Sequence, residues 1–235
     1  MMIIDALTFY DETSHGPVAI EAEFRADEAW IAVRQTEDTM NAYKSLVRFC
    51  NEHPSLRPLL SISLVNGMVI PHVEAALQIS PPVAIYIQPQ RDRVAVSDRR
   101  WRDLWQWAST QGVPVIVATG YPWYSEPSQL VSVADKYPNL RVVMTNGGQF
   151  NISGLGQFNA YAALTRPNVF ALTTGVYRQD FLEEVATNIG PHKLLFGSGS
   201  PDFHFPLEIR RVLWANLGDG DKARIVGSNA QGLIS

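Results

Sequence analysis

The chain has 235 residues, of which 46% are hydrophobic, 10% aromatic and 18% charged, and its formal net charge is −4. That apolar content suffices for a sizeable core and excludes disordered, collagenous and disulfide-scaffold classes. Mild acidity, with one small basic cluster (Arg91, Arg93, Arg99, Arg100 and Arg102) broken by Asp92, Asp98 and Asp103, argues against a nucleic-acid binder.

Residues 1–10 hold the first apolar pair, Ile3-Ile4, and an early Asp5, without the basic and long apolar regions of a signal peptide. A second run follows at 29–33 (AWIAV). The intervening stretch, 10–27, contains Gly16-Pro17 and is too short for a loop plus a full crossover helix, so an abbreviated first crossover is expected. Residues 39–52 place Met40, Tyr43, Leu46, Val47 and Cys50 at helical spacing. Cys50 is the only cysteine, which rules out an intramolecular disulfide and fits a reducing, cytoplasmic setting. The third run is 59–65 (LLSISLV), followed by a helix beginning near Pro71 and His72, and the fourth is 83–87 (VAIYI). Residues 98–112 read as a helix capped by Ser97, with Trp101, Leu104, Trp105 and Ala108 on one face and Gly112 as its stop. Runs at 113–117 (VPVIV), 140–144 (LRVVM), 169–172 (VFAL) and 194–196 (LLF) complete eight candidate strands. Helical patterns lie at 128–137, 179–189, 207–217 and 222–233.

Strands of near-continuous apolar residues fit a sheet buried on both faces. Eight of them alternating with helices favour a (β/α)8 TIM-like barrel, expected as a single domain over 1–235. No run reaches the ~18 apolar residues of a membrane span, so no membrane partner is expected.

Several stretches resemble the amidohydrolase-related (amidohydrolase 2) family of metal-dependent hydrolases and decarboxylases. SDRRWRDLWQWASTQGVPVIVATGYP resembles that family's helix into its fifth strand, and KYPNLRVVMTNGG its sixth strand and glycine turn. DFLEEVATNIGPHKLLFGSGSP with ARIVGSNAQGLIS is the most specific match. MIIDA and NEHPSLRPLLSISLVNG fit more loosely, so the likeness covers most of the chain except about 10–27. The resemblance implies metal ligands at fixed strand ends: a His-x-His pair after strand 1, a His at strand 5, a His at strand 6 and an Asp at strand 8. The corresponding positions here hold Leu7, Phe9, Ala118, Asn146 and Gly199. The first three and Gly199 have no side-chain donor, and Asn146 has only a neutral amide oxygen. No metal and no cofactor are therefore expected.

The remaining polar groups at the strand ends are the site candidates. Asp202 and His204, after strand 8, are the candidate acid–base pair, with helix capping and packing as their ordinary alternative. Asp5, Gln88, Thr119, Tyr121, Trp123, Asn146, Gln149, Tyr177 and Ser198 are candidate ligand-binding residues, and Thr173 and Thr174 are further hydrogen-bonding groups. Asp5 is also read as a scaffold brace through backbone amides. His53 and His192 fall in helix-to-strand connections, away from the mouth, whereas His15 and His72 are placed less definitely.

Three functions follow. The first is a pseudoenzyme: a barrel without its metal set that binds a small molecule or serves as a homodimer or hetero-oligomer with an active relative. The alternative is a metal-independent hydrolase or decarboxylase using the strand-8 and strand-5 loops. The third recruits a metal to His15, His72, Asp202 and His204.

Overall fold

A computed structural model describes residues 1–10, 26–34, 38–64, 67, 69–148 and 154–235. Eight strands run in chain order and every neighbouring pair is parallel. They are β1 (Ile4–Tyr10), β2 (Glu28–Val33), β3 (Leu56–Ile62), β4 (Ile85–Ile87), β5 (Val115–Val117), β6 (Val142–Met144), β7 (Val169–Leu172) and β8 (Leu194–Leu195). Three backbone hydrogen bonds draw the last strand to the first: Ala6 N–H to the Phe196 carbonyl (2.9 Å), Gly199 N–H to Leu7 (2.8 Å) and Phe9 N–H to Ser200 (2.8 Å). The result is a nearly closed (β/α)8 barrel.

Helices α1 (Thr39–Glu52), α2 (Val69–Ile79), α3 (Pro89–Asp92), α4 (Arg102–Gln111), α5 (Pro127–Lys136), α6 (Gly154–Leu164), α7 (Gln179–Asn188), α8 (Phe205–Trp214), α9 (Asp219–Ala223) and α10 (Asn229–Leu233) lie between and after the strands. Among the described residues, no helix is long and apolar enough to cross a membrane. β1 pairs directly with β2, and the expected abbreviated crossover between them lies outside the described residues.

Strand alternation divides the core in two. Trp30, Ala32, Leu59, Ala84, Tyr86, Ile116, Ala118, Val143, Leu172 and Leu195 form the inner cluster, into which Ala230 and Leu233 of α10 also pack. Ile31, Leu60, Ile85, Val115, Val117, Val142, Met144 and Ala171 belong to the outer cluster, with Leu46, Trp101, Leu104, Phe181 and Val185 of the helices. The period of two explains why the apolar runs are continuous: each face meets its own apolar layer.

β1 departs from that period. Its register against β2 shifts between Asp5 and Thr8. Strict alternation from Ile4 and Ala6 puts Thr8 inside; the irregularity instead brings Leu7 and Phe9 into the inner cluster.

Most helix limits match the sequence pattern within about two residues. α3 was not among those patterns, α8 ends three residues before the 207–217 pattern, and the 222–233 pattern is divided between α9 and α10. Asp98, not Ser97, caps the fourth segment: its carboxylate accepts from Arg100 N–H at 2.9 Å, and a 3-10 turn (Arg99–Trp101) precedes α4. Its end is as expected, with Gly112 left-handed at φ +65°. Helix α6 lies in a gap where no helical pattern was picked out: Gly154, Gly156 and Asn159 are weak helix formers and its apolar residues show no single stripe.

Candidate functional site

The C-terminal ends of the strands enclose a cavity of about 90 Å³, room for several waters or a small ring. β1 supplies Leu7 and Phe9, and β4 with the turn into α3 supplies Tyr86, Gln88 and Gln90. Ala118 and Tyr121 come from the end of β5, and Thr145 and Asn146 from β6. Thr174, Gly199, Asp202 and Phe203 complete the lining from the ends of β7 and β8. Leu7, Phe9, Ala118, Asn146 and Gly199, the five positions singled out by family resemblance, thus face one space.

Among the described residues, one carboxylate lines the cavity, and it is committed to an ion pair. Asp202 accepts from Arg34 Nη2 at 2.5 Å, with the two side chains 49% and 40% exposed. The Arg34 guanidinium lies 5.2 Å from the centroid of Phe9, which meets Tyr86 edge-on at 5.5 Å. Burial pushes the Tyr86 and Tyr121 hydroxyls above the usual phenol range, so both remain protonated. Gln88 Oε1 and Gln90 Oε1 are buried without a hydrogen-bond partner.

The floor is fixed by groups bonded to one another. Thr119 donates its N–H to Thr145 Oγ1 (3.1 Å) and its hydroxyl to the Thr145 carbonyl (2.6 Å). The Thr145 hydroxyl donates to Asn146 Oδ1 at 2.7 Å. Asn146 is left-handed (φ +55°), a conformation asparagine tolerates better than most residues. Asp5 lies outside the lining, 2% exposed, accepting from Ser198 N–H (2.7 Å), Ser198 Oγ (2.5 Å) and Leu7 N–H (3.3 Å). Burial raises its pKa to about 7 against the pull of those bonds, with nearby Glu208 adding to the rise. Glu208, itself buried, accepts from Gly175 N–H at 2.8 Å and from Arg211 Nε at 3.2 Å.

Of the sequence candidates, Gln88, Tyr121, Asn146 and Asp202 meet in the cavity, with Thr174. Thr119, Asp5 and Ser198 are buried outside its lining. Trp123 and Tyr177 are outside the lining, 79% and 43% exposed. His204 stands exposed at the N-terminus of α8, outside the lining, and His72 lies on α2. His53 ends α1, with Nδ1 2.8 Å from the Phe49 carbonyl, and His192 lies in the turn before β8. Gln149 and His15 lie outside the described residues. Among the described residues, no three of His, Cys, Asp and Glu converge as a metal site.

Arg34, Tyr86, Gln90, Thr145 and Phe203 were missed. Two had usable signals: Tyr86 shares a strand face with Gln88 by the period of two, and Arg34 follows the apolar run of β2.

Comparison with known proteins agrees with this geometry. A family model described as amidohydrolase matches residues 82–234. The chain belongs to the amidohydrolase family. No curated protein matches it. Among solved structures, 2,6-dihydroxybenzoate decarboxylase from Rhizobium is similar over 100% of this chain and 98% of its own, at 14% identity and TM-score 0.78. An uncharacterised TIM-barrel protein from Bordetella bronchiseptica is similar over 89% and 78%, at 19% identity and TM-score 0.75. 5-Carboxyvanillate decarboxylase from Sphingomonas paucimobilis is similar over 89% and 78%, at 12% identity and TM-score 0.72. At these identities the shared property is the fold.

Proposed function

We propose that this amidohydrolase-family barrel is a pseudoenzyme: it performs no metal-dependent chemistry and acts as a ligand-binding or complex-forming subunit. The carrying observation is the lining. A catalytic divalent ion needs about three protein donors of imidazole, carboxylate or thiolate type. The cavity offers Asp202, engaged by Arg34, and the neutral amides of Gln88, Gln90 and Asn146. Leu7, Phe9, Ala118 and Gly199 stand at four of the five lining positions where the resemblance implies ligands, and the hydroxyls of Tyr86, Tyr121, Thr145 and Thr174 are neutral. This donor set does not fit such an ion.

A metal-independent hydrolase or decarboxylase is the second reading. In its favour, Leu7 and Phe9 do not fill the mouth, and a cavity of about 90 Å³ remains. Against it, Asp202 is ion-paired and His204 lies off the lining, so among the described residues no acid–base pair faces the space.

The proposal extends to one barrel domain over 1–235, a cytoplasmic setting, and assembly as a homodimer or hetero-oligomer. Proton NMR of the protein with small amides, esters and aromatic carboxylates, with zinc or manganese added, tests it. Every compound is expected to persist as in a protein-free control. Consumption beyond that control contradicts the non-catalytic reading.

A further inference from the structure

Four aromatic side chains line the mouth cavity: Phe9, Tyr86, Tyr121 and Phe203. Among the described residues, the one charged group in that lining is the Asp202 carboxylate. Asp202 acts on the hydroxyls of Tyr86 and Tyr121 and adds to the burial that keeps both protonated, so the two rings stay neutral. Aromatic faces carry partial negative charge, and together with a carboxylate around one space they favour a cation.

The protein already holds a cation by these two means. The Arg34 guanidinium pairs with Asp202 at 2.5 Å and lies 5.2 Å from the centroid of Phe9. Arg34 is 40% exposed and stands outside the lining, so it engages the carboxylate without filling the cavity. A carboxylate accepts about four hydrogen bonds, and one arginine contact leaves it able to meet a second cation. Arg91, whose charge both tyrosines also feel, is exposed and outside the lining, where water and salt screen it. An anion entering the cavity meets a like charge in its wall.

Hydrogen bonding narrows the kind of cation. A primary ammonium is strongly hydrated and brings three donors, whereas the one carboxylate here is already shared with Arg34. A methylated ammonium has few N–H groups or none to satisfy, and its methyl groups pack directly on ring faces.

We propose that the mouth is an aromatic cage for a small methylated ammonium cation. Phe9, Tyr86, Tyr121 and Phe203 form its walls, Asp202 is its counter-charge, and Arg34 is a built-in competitor for that charge. The assignment rests on the ligand-binding reading above and adds the chemistry of the ligand.

The test compares three probes of one shape and different charge by saturation-transfer NMR and titration: choline, its neutral isostere 3,3-dimethyl-1-butanol and the anion 3,3-dimethylbutanoate. Choline is expected to bind in the millimolar range or tighter, with the other two at least about tenfold weaker. Asp202→Asn and Tyr121→Leu should each weaken choline at least about threefold, whereas Tyr121→Phe keeps the ring and should retain binding. Arg34→Met removes the competitor and should tighten choline at least about threefold. Thermal unfolding checks that each variant is folded, and the comparison of probes on the unaltered protein stands without them. Equal binding of choline and the butanol, stronger binding of the butanoate, no binding of any probe, or unchanged or weaker choline binding in folded Arg34→Met overturns the proposal. Stronger binding of the butanol or the butanoate does so while leaving the ligand-binding reading in place. Chemical conversion of choline with the charge preference intact contradicts the non-catalytic reading and leaves the cage assignment standing.

Discussion

Asp5 accepts three hydrogen bonds, and burial still holds its pKa at about 7 against an unfolded value of 3.8. The folded protein therefore keeps this proton between pH 4 and 7 while the unfolded chain loses it, and stability falls as pH rises through that window. At roughly 1.4 kcal/mol per pKa unit, the loss reaches on the order of 4 kcal/mol above pH 7. Asp5→Asn, which mimics the protonated form, should flatten this part of the profile. Urea midpoints at pH 5 and pH 8 measure it; parallel profiles for the two proteins contradict the assignment. Lys193 makes a comparable argument at the opposite end. It is 3% exposed, and its ammonium donates to the carbonyls of Arg166 (2.5 Å), Pro167 (3.0 Å) and Val169 (3.1 Å). Lys193→Met leaves those carbonyls short of a donor and is expected to destabilise by about 2–4 kcal/mol in urea unfolding. The sequence offered Asp5 as a brace through backbone amides but not its partner Ser198, 193 residues away, and it showed nothing of the role of Lys193.

At the scale of elements, the mouth is shaped by the ends of strands. The register shift in β1 presents Leu7 and Phe9 to the same space as Ala118, Asn146 and Gly199. Strand positions were legible from apolar runs, and family resemblance singled out these five residues. The shift was not legible, since it belongs to pairing between strands rather than to the local pattern. Arg34 was missed for a related reason: its partner, Asp202, lies 168 residues away. Gly175 illustrates how tightly the loops meet. At φ +59°, a Cβ there would stand 2.7 Å from Asn146 Nδ2 and 2.7 Å from Phe203 Cζ. Gly175→Ala should therefore cost about 1–3 kcal/mol and displace two lining residues. The loss is read as a lower thermal midpoint, and an unchanged midpoint contradicts this packing. Asp38 caps α1 by accepting from Asn41 N–H at 3.0 Å, and Asp38→Ala should cost about 1 kcal/mol in the same measurement.

For the whole molecule, eight alternating runs sufficed to anticipate the barrel, because an inner and an outer apolar layer make each strand apolar along its length. Association was less legible. Trp123 and Trp214 are 79% and 75% exposed, as is much of Phe158 on α6, the helix absent from the sequence pattern. Such surface aromatics fit the proposed assembly, and light scattering after size exclusion should give a mass above the 26.2 kDa monomer. A monomer at micromolar concentration contradicts the homodimer. The central claim is that this family member has a mouth unable to hold a catalytic ion. Its most direct test is the metal content, by plasma mass spectrometry, of protein purified from cells grown with added zinc and manganese. The account predicts less than about 0.1 equivalent, where a catalytic centre holds about one. Near one tightly held equivalent contradicts it.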